Sequence, residues 1–136
     1  MRGYTGLIVE QEQRPKKIFI VNDDKLLLDM YCIEFRGKGF DVTPAFGGVD
    51  TMEKLRGGIV PDVILLDAES PVMDSNDILR IIREEKLVPE AKILILSNEP
   101  RTVIDENSRA LGISGYIQKK SATPSQIAQE VIDIVK

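Results

Sequence analysis

The chain contains no histidine. That absence removes serine-type triads, imidazole acid–base catalysis and the commonest transition-metal ligand together. Cysteine is nearly absent as well. Cys32 is the one thiol, which excludes an internal disulfide and a cysteine-based zinc site. Positive charge is in deficit, with 18 Lys and Arg against 22 Asp and Glu and a net charge of −4. Phosphate backbones demand a basic face, so nucleic-acid binding by this chain is not expected. No apolar run approaches the roughly 20 residues that span a bilayer. Residues 1–10 hold too short an apolar core for a secretory signal. The expectation is a cytoplasmic protein without membrane contact.

What is present is enough for one domain with a real core: 136 residues, 43% hydrophobic and 29% charged. Apolar runs alternate with helical patterns five times, which predicts βα units on a parallel sheet. The strands are expected at residues 18–21, 40–44, 63–66, 93–96 and 115–118. Pro44 places the second at a sheet edge, because proline cannot donate to a ladder. The helices are expected at about 25–36, 48–56, from Asp74 or Ser75 to before Pro89, 101–111 and 124 onward. Cys32 shares a stripe with Leu28, Tyr31 and Phe35 and reads as a small buried side chain. Val49, Met52 and Leu55 are expected inward on the second helix. Ile78, Leu79, Ile81 and Ile82 are expected inward on the third. The 101–111 segment has a thin apolar stripe and should pack least firmly. Thr123, Pro124 and Gln126 form a capping box, followed by an apolar face of Ile127, Ala128, Val131, Ile132, Ile134 and Val135. Residues 1–15 lack periodicity and are expected to be a flexible arm, with the domain at 16–136.

A parallel sheet gathers its strand ends along one edge. Here that edge collects Asn22, Asp23 and Asp24 after the first strand and Asp67 after the third, followed by the turn 71–74. Ser97 follows the fourth strand and Lys119 the fifth. Taken singly, each has a plain reading as a turn residue, a helix cap or a solvated lysine. Together they suit phosphoryl transfer onto a carboxylate. Asp67 is the candidate nucleophile. The repulsion between anions calls for magnesium held by carboxylates. Lys119 supplies a second cation, and Ser97 donates to a phosphoryl oxygen.

From about Lys17 to Lys136 these residues resemble the receiver domain of two-component response regulators. The resemblance implies an α/β, doubly wound, five-stranded parallel sheet of order 2-1-3-4-5 with five helices, in three layers. It implies Asp67 as phosphoacceptor, with Pro71, Met73 and Asp74 in the turn that follows. The implied metal ligands are Asp23, Asp67 and the backbone carbonyl of Glu69, with Asp24 a further candidate, for magnesium or manganese. Ser97 and Tyr116 would be the switch pair, altering the surface of the fourth helix, fifth strand and fifth helix. Expected partners are a sensor histidine kinase or phosphotransfer protein, then an effector protein or domain, or a second copy of this chain. Beyond its own phosphorylation and dephosphorylation no enzymatic activity is expected.

Four positions depart from the family pattern. Asn22 stands where a first acid is usual, which predicts weaker magnesium binding. Asn98 replaces a small residue, Lys120 a proline and Ser75 a glycine. Asn22, Asn98 and Lys120 support an alternative reading, a receiver that works as a constitutive interaction or dimerisation module without phosphate. Two other readings are disfavoured. A flavodoxin-like nucleotide binder needs a hydroxyl- or glycine-rich first loop, and Asn22–Lys25 would repel its ligand. A hydrolase with an aspartate nucleophile after the first strand would, by resemblance, space its two acids by one residue, whereas Asp23 and Asp24 are adjacent.

Overall fold

Val63, Ile64, Leu65 and Leu66 offer no polar face, so a strand made of them must be covered on both sides. In the computed structural model, which describes residues 14–69, 75–99 and 112–136, they lie in β3 (Val63–Asp67), where every residue is buried. β1 (Lys17–Asn22) and β4 (Lys92–Ser97) flank it, each buried beyond an exposed first lysine. β2 (Asp41–Phe46) and β5 (Gly115–Gln118) form the two edges. All pairings are parallel, and the order is β2-β1-β3-β4-β5, as the resemblance implies.

The helices α1 (Lys25–Gly37), α2 (Gly47–Arg56), α3 (Ser75–Glu84) and α4 (Pro124–Val135) cover both faces. Alternate strand residues point to opposite faces. Ile18, Ile20, Leu65, Leu94 and Ile117 pack with α1 and α4. Phe19, Val21, Ile64, Leu66, Ile93 and Ile95 pack with α2 and α3. Each fully buried Leu, Ile or Phe contributes about 1.5–3 kcal/mol. The helix expected at 101–111, the turn at 71–74 and residues 1–13 of the expected arm lie outside the described residues.

Local chemistry explains the ends. Asp24 caps α1 by accepting from Leu27 N at 3.1 Å. Leu28, Tyr31, Cys32 and Phe35 form its buried stripe. At its far end Gly39, with φ +93°, reverses the chain. Phe40 N then reaches Phe35 O at 3.0 Å, and the two rings meet edge to face. Pro44 sits on an edge strand, as predicted, and its carbonyl accepts from Lys54 Nζ at 2.5 Å. Both bonds of the capping box at α4 are present, Gln126 N to Thr123 Oγ1 and Thr123 N to Gln126 Oε1.

Two inward expectations fail. Val49 is 77% exposed, because the buried stripe of α2 runs through Gly48, Thr51, Met52 and Leu55. Thr51 takes an inward place because its hydroxyl is satisfied by the Gly47 carbonyl at 2.7 Å. Ile134 is 37% exposed, off the stripe of Ile127, Ala128, Val131 and Val135. Ile81 and Ile132 are half-buried rather than fully inward.

Candidate functional site

The strand register decides which side chains meet. Val21 pairs with Leu66, Asp67 with Leu96, and Ser97 with Gln118. Asn22, Asp67 and Ser97 are therefore the last residues of three neighbouring strands, β1, β3 and β4, and Lys119 follows β5. The ladder continues past the strands, with Ala68 N on Leu96 O and Lys119 N on Ser97 O, both at 2.8 Å. That continuation holds the lysine backbone level with the serine.

Asp67 is 4% exposed. Its Oδ2 accepts from Lys119 Nζ at 2.6 Å and from Asn22 Nδ2 at 2.9 Å. Its Oδ1 accepts from Glu69 N at 2.8 Å. A buried carboxylate is tolerable only when its charge is answered, and here an ammonium and two amide N–H groups answer it. Asn22 also receives Asp24 N on its own Oδ1 at 2.9 Å, so its amide is held from both ends.

Ser97 is fully buried. Its hydroxyl donates to Glu69 Oε1 at 2.9 Å and accepts from Glu99 N at 3.0 Å. Asn98 N donates to the same Glu69 oxygen at 2.7 Å. Tyr116, half-buried on β5, donates its hydroxyl to the Glu99 carbonyl. Asp67, Ser97, Lys119 and Tyr116 are thus linked at one sheet edge through Glu69 and Glu99. Asp23 follows β1 at the same edge and is half-buried. Asp24 is exposed, with its carboxylate on the first turn of α1. Pro71, Met73 and Asp74 lie outside the described residues.

Two contacts escaped the sequence reading. The Asn22 amide binds Asp67 directly, and the Glu69 carboxylate, not only its backbone, belongs to the site. A signal existed for the second: a long acid two residues past a strand end can fold back over that edge. For the first, the pairing of adjacent strands made the contact available, but no pattern marked it.

The donor set suits a hard cation. Among the described residues Asp67 Oδ1 accepts from Glu69 N, a carboxylate oxygen can accept more than one such bond, and Asp23 directly follows the end of the neighbouring strand. Among the described residues no group of three or more acidic or thiol side chains is gathered to hold a metal. Magnesium does not need one, since it takes one or two carboxylates and keeps several waters.

Two further groups respond to the site or its surroundings. The Tyr31 phenol is pushed up to about 12, first by burial and then by the charges of Asp67 and Asp24. Burial also pushes the Cys32 thiol up, so it behaves as an apolar side chain rather than a nucleophile.

The family model of the response regulator receiver domain matches residues 18–132. The DNA-binding response regulator MtrA of Mycolicibacterium paratuberculosis is 33% identical over 104 residues, 76% of this chain and 44% of that protein. The hybrid signal transduction histidine kinase D of Dictyostelium discoideum is 29% identical over 120 residues, 85% of this chain and 7% of that protein. The chain spans less than half the length of these curated relatives. The chemotaxis response regulator CheY4 of Vibrio cholerae superimposes with a TM-score of 0.77 at 22% identity, covering 88% of this chain and 98% of that one. At that identity the likeness is one of fold.

Proposed function

The chain belongs to the response regulator receiver domain family, and on that premise we propose that Asp67 accepts a phosphoryl group from a phosphohistidine of a partner protein. The observation that carries this reading is the Asp67 carboxylate itself, buried at the end of the central strand against the Lys119 ammonium. Asp67 attacks phosphorus through a carboxylate oxygen. The phosphorus–nitrogen bond breaks with its electron pair going to the imidazole, and an acyl phosphate results. Lys119 answers the charge on the transferred group, and Ser97 donates to one of its oxygens. The absence of histidine from the chain fits a donor supplied in trans.

Receiver domains are generally magnesium-dependent. Asp23, Asp67 and the Glu69 carbonyl are the groups here that would hold the ion, with Asp24 left to cap α1. Bound there, it would supply positive charge that offsets the repulsion between the carboxylate and the incoming phosphoryl group. In this reading Ser97 and Tyr116 change partners on phosphorylation, and the surface around β5 and the neighbouring helices is what a downstream protein or domain, or a second copy of the chain, recognises. No described helix is long and apolar enough to cross a membrane. The net charge of −4 favours an output through protein contacts of this domain, in the cytoplasm, rather than its own contact with nucleic acid.

The test is intact mass after incubation with a small acyl phosphate, with and without magnesium. A gain of one phosphoryl group is expected, absent in Asp67→Ala. In Asp23→Ala the magnesium dependence and most of the rate should be lost. A second reading, an interaction module without phosphate, draws on the Asn22 amide that already satisfies Asp67. No mass gain, with small donors or a panel of histidine kinases, would select it.

A further inference from the structure

Ser97 Oγ–H and Asn98 N–H point at one oxygen, Oε1 of Glu69, at 2.9 and 2.7 Å. A hydroxyl and a backbone amide converging on a single anionic oxygen form a small anion-binding pair. It lies at the end of β4, the strand next to the one that ends in Asp67. A phosphoryl oxygen and a carboxylate oxygen are the same kind of acceptor, and both make short, charge-assisted bonds to such donors. A group transferred to Asp67 needs the Ser97 hydroxyl, and that hydroxyl is already spent on Glu69.

We propose that the Glu69 carboxylate is an internal stand-in for the phosphoryl group, which must leave the Ser97 and Asn98 donors before a phosphoryl oxygen can bind them. The proposal rests on the reading of Asp67 as phosphoacceptor. Glu69 therefore sets how tightly the site takes a phosphoryl-bearing ligand, without itself touching the reacting atoms. The residue is exposed, so its side chain can turn out into water when displaced. Its charge acts in the same sense as its occupancy, because a second anion at the mouth repels the incoming one. The bond from the backbone N–H of Glu69 to Asp67 Oδ1 does not involve the side chain. Substituting the side chain thus leaves that bond, and the carbonyl available to a metal, in place.

A purely structural tie gives the opposite forecast. If Glu69 only staples the loop after β3 to β4, losing it loosens the site and weakens ligand binding. The experiment is a titration of the full chain with beryllofluoride, a tetrahedral phosphoryl mimic, in the presence of magnesium. It is followed by the amide resonances of Ser97 and Asn98 in wild type, Glu69→Ala, Glu69→Gln and Asp67→Asn. Glu69→Ala should bind roughly tenfold more tightly or better, the equivalent of one charge-assisted hydrogen bond. Glu69→Gln keeps an oxygen acceptor without the charge and should fall between the two. In the free proteins the Asn98 amide should shift on Glu69→Ala, toward a weaker hydrogen bond. Equal or weaker binding by both Glu69 variants, with wild type still binding, would overturn the stand-in and leave the acceptor standing. No binding by wild type or either Glu69 variant would remove the acceptor reading, and the proposal with it. Binding that survives in Asp67→Asn would mean that the mimic is not on Asp67, which overturns both.

Discussion

Among the described residues three donors meet the buried Asp67 carboxylate, and of these Lys119 alone carries a charge. Lys119→Ala leaves that carboxylate buried with two amide N–H groups, at a cost of about 1–3 kcal/mol at neutral pH. Most of the loss should return in the double variant with Asp67→Asn, which removes the charge in need of a partner. Urea melts of the four proteins give the coupling directly, and a cycle that closes near zero would show the pair to be energetically idle. Asn22→Asp tests the other donor. It sets a second carboxylate where an amide stood 2.9 Å from Asp67 Oδ2. Without metal the melting temperature should fall, and with magnesium the affinity should rise about tenfold through added ligand charge. A titration showing no tightening would mean that the amide was not limiting the metal.

Among the elements, α2 has a tie at its first turn that can be switched with acid. Asp50 Oδ2 accepts from Phe46 N at 2.9 Å, tying the entry of the helix, and from Lys54 Nζ at 3.1 Å. The Phe46 N–H, then Lys54, hold the Asp50 carboxyl below its ordinary value of 3.8. A lowered carboxyl stabilises the fold above that ordinary value, and the contribution fades as pH falls through the folded one. Asp50→Asn should therefore cost about 0.5–1 kcal/mol at pH 7 and almost nothing once the medium is acid enough to protonate the wild-type group. Chemical denaturation of both proteins at the two extremes measures it. The same scale shows what the chain made readable. The capping box of α4 and the unbroken apolar run of β3 are local patterns with one physical outcome, and both formed as read. Val49 was misplaced because the inward position belongs to Thr51, whose polarity is hidden by a bond inside its own helix. The residues of the sheet edge were visible because strand ends are visible. What they bind there was not. The Asn22–Asp67 and Glu69–Ser97 bonds depend on side-chain direction across neighbouring strands, which no periodicity encodes.

For the whole molecule, the site exists only when the fold does. Asn22 and Lys119 reach Asp67 from 45 and 52 residues away in sequence. The fold also places the Asp67 charge within range of Tyr31, itself 2% exposed on the helix that Asp24 caps. That phenol ionises at 10.0 in its ordinary state and at about 12 in the folded chain. Its contribution to stability is complete below pH 10 and disappears as the pH rises through about 12, because the unfolded chain releases the proton first. Tyr31→Phe should push alkaline unfolding to higher pH and delete the late step of a phenolate absorbance titration. An unchanged late step would assign it to another residue. With three tyrosines and no tryptophan, the near-ultraviolet spectrum of this protein is almost wholly phenolic. The group that loosens the molecule in alkali is thus one of the few chromophores that can report it, and the protein serves as its own indicator dye.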